Sequence, residues 1–338
     1  MSEEKKIYIN EIIRITYKCN WKCKFCNVSK VNNYGIADIS SKEVVSKILS
    51  LVKKYNTKQL KNLNLSFSGG EPTLNKNLSN YIKLAKKIGV GIIEIQTNGS
   101  QLYKNKNLIN ELIDSGLTNI FLAQHSSDVS VNKKLGVYYN ISDFIEWVSY
   151  VREQSLQNRI YIGFNIVITK INLYKIYDYL KFLLEIDFLS LLPKVNGNSP
   201  ISFGHCQPNG YAEINKDELL LHYDKKELLE IKKIIGFAVE NRILPDFHFT
   251  SPPLCILDYP EYNLEYERLR NLKEDKMKGE VNNSNLESYR ALWKEKQKFD
   301  ECKTCKYTDY CLGFYKNWIL FSGKESVKSR IKDFISNS

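Results

Sequence analysis

Roughly the first two hundred residues alternate short apolar, β-branched runs with longer stretches of helical period, and few folds accommodate that alternation. The runs at 12–17, 63–68, 91–96, 119–124, 160–168 and 201–205 read as strands. The segments at 41–55, 77–88, 105–115, 141–154 and 173–186 read as helices. Strands linked through helices form βα units and pair in parallel, so an α/β fold around a parallel sheet is expected. The stretch 189–200 admits two readings, one in which FLSLLPK is itself the sixth strand and one in which the polar run after it is a loop. From about residue 211 the pattern changes to charged helical segments, a Pro-rich patch at 251–253 and a polar region around 271–288. Two domains are expected, 1–210 and 211–338.

A chain of 338 residues with 43% hydrophobic content can bury a core large enough to surround a deep site. No run approaches the eighteen or so apolar residues that a membrane span needs, and the opening MSEEKKIYIN has no apolar core of a signal peptide. A soluble cytoplasmic protein with no membrane partner is expected. The net charge of +11 comes from lysine spread along the chain without dense arginine blocks, which reads as a solvated basic surface rather than a nucleic-acid groove. Eight cysteines stand at 19, 23, 26, 206, 255, 302, 305 and 311. Tight cysteine clusters in a reducing compartment point to metal or redox chemistry rather than disulfides.

The first cluster is TYKCNWKCKFCN, with three residues between Cys19 and Cys23 and two between Cys23 and Cys26. It follows the first strand directly, so it forms a loop at that strand's C-terminal end, the edge where βα barrels build their sites. Three thiolates on one loop can hold three irons of a four-iron cubane and leave the fourth open to a ligand. A structural zinc would need a fourth ligand, and the nearby Asn20 and Asn27 are poor ones.

On these residues the chain resembles the radical S-adenosylmethionine (SAM) superfamily, whose signature is this three-cysteine spacing after the first barrel strand. The resemblance runs on through LSFSGGEP at 65–72, EIQTNG at 94–99, FLAQHSS at 121–127 and FNIVI at 164–168, each closing a predicted strand in order. It implies a partial (β/α)6 TIM-like barrel holding SAM and a [4Fe–4S] cluster on Cys19, Cys23 and Cys26. It implies that Phe25 lies near the adenine, and that Ser68, Gly69, Gly70 and Glu71 surround the methionine ammonium. An ammonium offers only donors, so a carboxylate is a suitable partner. Gly69 and Gly70, lacking Cβ, would let the backbone approach a ligand. Thr97 and Asn98 are implied to face the SAM carboxylate and ribose, as is Asn165. Of Gln124, His125 and Ser126, strand alternation puts Gln124 and Ser126 on one face and His125 on the other. Ser126 is the expected SAM contact, and His125 an outward or hydrogen-bonded histidine. The chemistry implied is reductive cleavage of SAM to a 5′-deoxyadenosyl radical that abstracts hydrogen from a substrate, in a lumen closed to solvent.

The second cluster reads ECKTCKYTDYCLGFY at 301–315, with Cys302, Cys305 and Cys311, and a further thiol is available at Cys255 in PPLC. It is similar to the auxiliary-cluster domains called SPASM and Twitch. Tyr315 stands where the fuller SPASM pattern has a further cysteine, which implies a small C-terminal α+β domain of Twitch type holding one auxiliary [4Fe–4S] cluster. A zinc knuckle on the same four thiols is the alternative. Cys206 reads as a buried, inert thiol. The C-terminal pattern resembles radical SAM enzymes that modify ribosomally made peptides, which makes a peptide the expected substrate and a small molecule of cofactor, sugar or nucleoside biosynthesis the alternative. A non-catalytic SAM-binding scaffold is a third reading. The resemblance implies a reducing partner such as flavodoxin or ferredoxin. With the first strand so near the N-terminus, recognition of a peptide leader is expected from a separate protein or from the barrel.

Overall fold

The computed structural model describes residues 9–28, 37–192, 201–241, 245–246, 253–256, 263, 266, 269–270 and 294–336. The chain divides into two compact units, Met1–Asn165 with Tyr179–Pro200, and Ile166–Asp178 with Ile201–Ser338.

The first unit is a run of parallel strands alternating with helices. Strands β1 (Ile9–Thr16), β2 (Leu63–Gly69), β3 (Ile92–Thr97), β4 (Asn119–Ala123) and the body of β5 (Tyr161–Ile168) are hydrogen-bonded neighbours in chain order, every pair parallel. Alternate residues of β2, Leu63, Leu65 and Phe67, are fully buried, the pattern of a strand with a helix layer on one face. Helix α1 (Ser41–Lys54) starts where Ser40 accepts the backbone N–H of Glu43, and buries Val44, Ile48 and Leu51 on one stripe. Helix α7 (Ile141–Glu153) does the same with Phe144, Trp147, Val148 and Val151. Phe144 and Trp147 pack with Tyr103 and Phe188 into an aromatic core.

The second unit begins inside β5 and carries that strand's last residues, then β6 (Ile201–His205), which has a two-residue parallel neighbour, Pro245–Asp246. Helix α11 (Lys225–Glu240) opens on a reciprocal capping box between Asp224 and Glu227. A two-stranded antiparallel sheet, Lys296–Gln297 with Phe314–Tyr315, and the helices Lys316–Ser322 and Lys324–Ser336 follow. The fold is therefore the expected α/β partial barrel of six parallel strands with a small C-terminal α+β part.

The strands and helices expected from sequence lie within a few residues of those observed. The ambiguous 189–200 stretch resolves as a 3-10 turn at Phe188–Leu191, and β6 is Ile201–His205. Residues 193–200, 251–252 and the polar region at 271–288 lie outside the described residues. Among the described residues, no helix is long and apolar enough to cross a membrane.

Candidate functional site

The cysteine loop leaves β1 through a register shift between Arg14 and Thr16, opposite Gly69. Its root is fastened to the end of β2 by backbone bonds from Gly70 to the Thr16 carbonyl and from Glu71 to the Lys18 carbonyl, both 2.8 Å. This explains the glycine pair. A Cβ on Gly69 would stand 2.2 Å from the Thr16 carbonyl oxygen, and one on Gly70 would stand 2.1 Å from that of Lys18. The close approach that demands glycine here is made by the loop's own backbone.

The far side of the loop is held by the last residue of helix α6 (Val129–Leu135) and the segment after it. Lys22 N–H donates to the Gly136 carbonyl at 2.9 Å and Lys24 N–H to that of Leu135 at 3.0 Å. The buried Trp21 donates its indole N–H to the Tyr138 carbonyl at 2.7 Å and lies against Tyr139. Gly136 caps α6 in the left-handed conformation, φ 75°, and a Cβ there would meet the Lys22 oxygen at 2.1 Å.

All three thiols are partly buried. Burial pushes Cys19 up to about 11, with Glu71 and Cys26 adding to the rise; burial and the other two thiols push Cys23 well above its ordinary value, and burial raises Cys26. Without metal these are protonated thiols at neutral pH, and iron binding must displace the protons.

Glu71 is 1% exposed, and its carboxylate ties the ends of β2 and β3 together. Oε1 accepts Thr73 N–H at 3.0 Å, Thr73 Oγ1 at 2.5 Å and Thr97 Oγ1 at 2.6 Å; Oε2 accepts Asn98 N–H at 2.7 Å. Burial raises its pKa against the pull of these donors. Asn98 Nδ2 donates to Asn20 Oδ1 at 2.9 Å and reaches Cys19 Sγ at 4.0 Å, while Asn20 Nδ2 donates to Ser100 Oγ at 2.7 Å. The β3 end thus grips the loop beside its first cysteine. Ser68 is half-buried at the end of β2.

Strand β4 ends at Ala123, so alternation does not extend to the next three residues. Gln124, His125 and Ser126 are all buried. His125 is not outward: it meets Phe25 edge to face, centroids 4.8 Å apart, and burial lowers its pKa to about 3, keeping it neutral. Gln124 donates to the Asn98 carbonyl and to Tyr103 Oη, and its Oε1 is a buried acceptor with no hydrogen-bond partner among the described residues. Asn165 Oδ1 is in the same condition. Ser126 Oγ accepts Asp128 N–H at 3.0 Å, and its carbonyl takes Asn132 Nδ2 and Tyr139 Oη. The first unit therefore brings together the loop cysteines with Phe25, Glu71, Thr97, Asn98 and Ser126.

In the second unit Cys255, Cys302, Cys305 and Cys311 line one cavity, with Leu254, Phe314 and Ile331 as part of its apolar wall. Cys255 sits in a turn closed by Ile256 N–H on the Pro253 carbonyl. Cys302 lies in the 3-10 turn Asp300–Thr304, and Gly313 N–H donates to Cys311 Sγ at 3.3 Å. Burial pushes Cys255 well above its ordinary value, and the other three thiols add to that rise. Among the described residues, no three His, Cys, Asp or Glu side chains converge closely enough to hold a single metal ion. Cys206 is buried, and burial raises it to about 12.

Sequence reasoning missed Trp21, Asn20, Gln124 as a hub, and Gly136. Only Gly136 carried a local signal, a glycine after the lysines and leucine that close a helix.

A parallel α/β barrel with a three-cysteine loop on its first strand defines a class of iron–sulfur enzyme, and the family model of the Radical SAM superfamily matches residues 13–183. The chain belongs to that superfamily, and membership implies SAM and a [4Fe–4S] cluster. Among curated relatives it is 26% identical over 182 residues to a probable GTP 3′,8-cyclase of Sulfolobus acidocaldarius, covering 53% of this chain and 54% of that one. It is 32% identical over 110 residues to the 7,8-dihydro-6-hydroxymethylpterin dimethyltransferase of Methanocaldococcus jannaschii, 32% of this chain and 21% of that one. The chain spans about half the length of the cyclases it matches. Its fold is similar to that of anSMEcpe with bound AdoMet, at a TM-score of 0.55 and 14% identity over 98% of this chain and 100% of that one. It is also similar to Streptococcus suis SuiB bound to precursor peptide SuiA, at 0.51 and 19% over 72% of this chain and 48% of that one. The C-terminal cysteines fit a domain of SPASM/Twitch type.

Proposed function

We propose that this radical SAM enzyme carries its SAM-binding [4Fe–4S] cluster on Cys19, Cys23 and Cys26, an auxiliary [4Fe–4S] cluster on Cys255, Cys302, Cys305 and Cys311, and that it modifies a ribosomally made peptide. The observation that carries the reading is the loop itself, three thiols on one short segment clamped from two sides, with no fourth protein thiol in it. The residues fit the cofactors. Three thiols suit a cubane with one open iron, and the acceptors Gln124 Oε1 and Asn165 Oδ1, without partners among the described residues, suit the donors that SAM offers in its ammonium and ribose hydroxyls.

Held by Cys19, Cys23 and Cys26, a reduced cluster would supply the one electron that breaks the bond from the SAM sulfonium to its 5′ carbon. The protein's own part is placement. Glu71, already holding Thr73, Thr97 and Asn98, presents its remaining Oε2 acceptor capacity to an ammonium, and keeps the β2 and β3 ends in register beside Cys19. Phe25, fixed against His125, offers an apolar surface for the adenine, and Ser68, Gly69, Gly70 and Ser126 complete the cradle. A neutral His125 adds no charge to that surface. In the second unit, four thiols around one cavity support a fully ligated cluster suited to electron transfer. A flavodoxin or ferredoxin would supply the electrons, and a separate protein or the barrel itself would recognise the peptide leader.

The peptide reading is supported by the C-terminal cysteine pattern and by the likeness in fold to SuiB, which binds precursor peptide SuiA. A small-molecule substrate is the second reading, favoured by the relatedness of the barrel to GTP 3′,8-cyclases. Anaerobic reconstitution followed by assay for 5′-deoxyadenosine, with mass spectrometry of a coexpressed peptide, tests both parts. A modified peptide supports the first reading; 5′-deoxyadenosine without any peptide product, but with turnover of a nucleotide or pterin, supports the second.

A further inference from the structure

The second unit holds a second cleft, distinct from the cysteine-lined cavity. Its volume is about 260 Å³, under the range of clefts that enclose a whole small molecule and enough for one side chain with its adjoining backbone. One wall is the segment that leaves β6, with Gln207 and Asn209; strand C-terminal ends are where barrels of this type engage substrates. The other wall is Lys294, Glu295, Tyr315, Lys316 and Asn317. None of these residues is a cysteine or takes part in the site described above.

The composition of the lining selects a ligand chemistry. Two lysines stand against one glutamate, and the buried Lys296 holds its ammonium 4.6 Å from the centre of the Tyr315 ring. The local field therefore favours an anion. Three carboxamides share the lining; Asn317 Nδ2 donates to Asn209 Oδ1 at 3.5 Å, and the three still present both donors and acceptors to a ligand. A phosphate group accepts only and has no use for the acceptors. A peptide backbone alternates N–H with C=O and uses both. Glu295 opposes a dianion more strongly than a single carboxylate. Arginine, whose planar fork suits phosphate bidentately, is absent from the lining.

We infer that this cleft binds a segment of the peptide substrate carrying an acidic side chain, whose carboxylate lies between Lys294 and Lys316 while Gln207, Asn209 and Asn317 pair with the peptide backbone. The inference rests on the reading of the chain as a peptide-modifying enzyme and names a feature of its substrate.

Dye-labelled, N-acetylated alanine hexapeptides with a central Glu or Gln, titrated anaerobically into the reconstituted full chain and followed by fluorescence anisotropy, test it. The Glu peptide is expected to bind at least tenfold more tightly than the Gln peptide. The preference is expected to vanish in the double variant Lys294→Glu/Lys316→Glu and to persist in Lys47→Gln, which removes a lysine from the exposed face of α1. Equal binding of the two peptides, no binding of either, or a preference that survives the double variant would overturn the inference. So would inorganic pyrophosphate displacing the Glu peptide at a lower concentration than unlabelled peptide does, since that assigns the cleft to phosphate. Formation of 5′-deoxyadenosine from SAM by the same wild-type preparation reads the enzyme assignment separately: its absence removes that assignment, whereas its presence without a peptide preference removes only the cleft.

Discussion

Replacing Gly136 with Ala perturbs the first cluster without touching a cysteine. At φ 75° an alanine pays for a left-handed backbone, about 1–2 kcal/mol. Its Cβ would stand 2.1 Å from the Lys22 carbonyl oxygen and 2.8 Å from the Lys22 carbonyl carbon. Ordinary contact begins near 3.4 Å, so the loop must withdraw by roughly an ångström, and both partners are backbone that cannot rotate away. Withdrawal breaks the bonds from Lys22 N–H to Gly136 and from Lys24 N–H to Leu135, each worth about 1 kcal/mol. The sum is about 3–4 kcal/mol, delivered to the segment that carries Cys23. Gly89→Ala is the control: φ is 91°, nothing lies within 4 Å of the added carbon, and only the backbone penalty applies. Iron content, the low-temperature electron paramagnetic resonance of the reduced protein and 5′-deoxyadenosine formation are the assays. Gly136→Ala is expected to lose the SAM-binding cluster and at least nine-tenths of SAM cleavage while the auxiliary cluster loads. Gly89→Ala is expected to lower the melting temperature by a few degrees and to cleave SAM normally. Normal cleavage by Gly136→Ala would refute the argument that this contact holds the loop.

Cys23→Ala should abolish SAM cleavage, whereas Cys305→Ala should retain some cleavage and lose product; iron content should fall by about half in each if each loses one of two four-iron clusters. Glu71→Gln keeps an oxygen toward Thr73 and Thr97 but sets its NH₂ against the Asn98 N–H, leaving that buried donor without an acceptor, and should destabilise the chain by about 1–3 kcal/mol in a denaturant titration. His205, which faces Tyr223 Oη at 3.3 Å, has its pKa lowered by burial to about 3. The folded value lies below the unfolded one, near 6.5, so the stabilisation is present above that value and is lost as pH falls toward 3. One such histidine makes the chain about 1.4 kcal/mol less stable at pH 5.5 than at pH 7.5, and His205→Phe should remove that share of the pH dependence in urea titrations.

The elements of the barrel were legible because their period is local: β2 buries Leu63, Leu65 and Phe67 alternately, and α7 buries Phe144, Trp147, Val148 and Val151 on one stripe. The cysteine loop was legible because three ligand positions lie within a few residues of one another. What escaped was fixed by contacts distant in sequence. The clamp between Lys22 and Gly136 joins residues more than a hundred positions apart, and no local pattern announces it. The glycines at 69 and 70 were legible as a close approach, but the partner, the Thr16 and Lys18 backbone, was not. Of the two readings of His125, the outward one fails because alternation was carried past Ala123, where β4 ends and the imidazole lies against Phe25.

A cubane on Cys19, Cys23 and Cys26 would keep one iron free for SAM. Mössbauer spectroscopy of the Cys302→Ala/Cys305→Ala variant, reconstituted with 57Fe so that only the loop cluster remains, tests it most directly. Addition of SAM should change the signal of one iron in four and leave three as they were; a spectrum unaltered by SAM, or no cluster in this variant, would mean that the loop does not hold such a cluster.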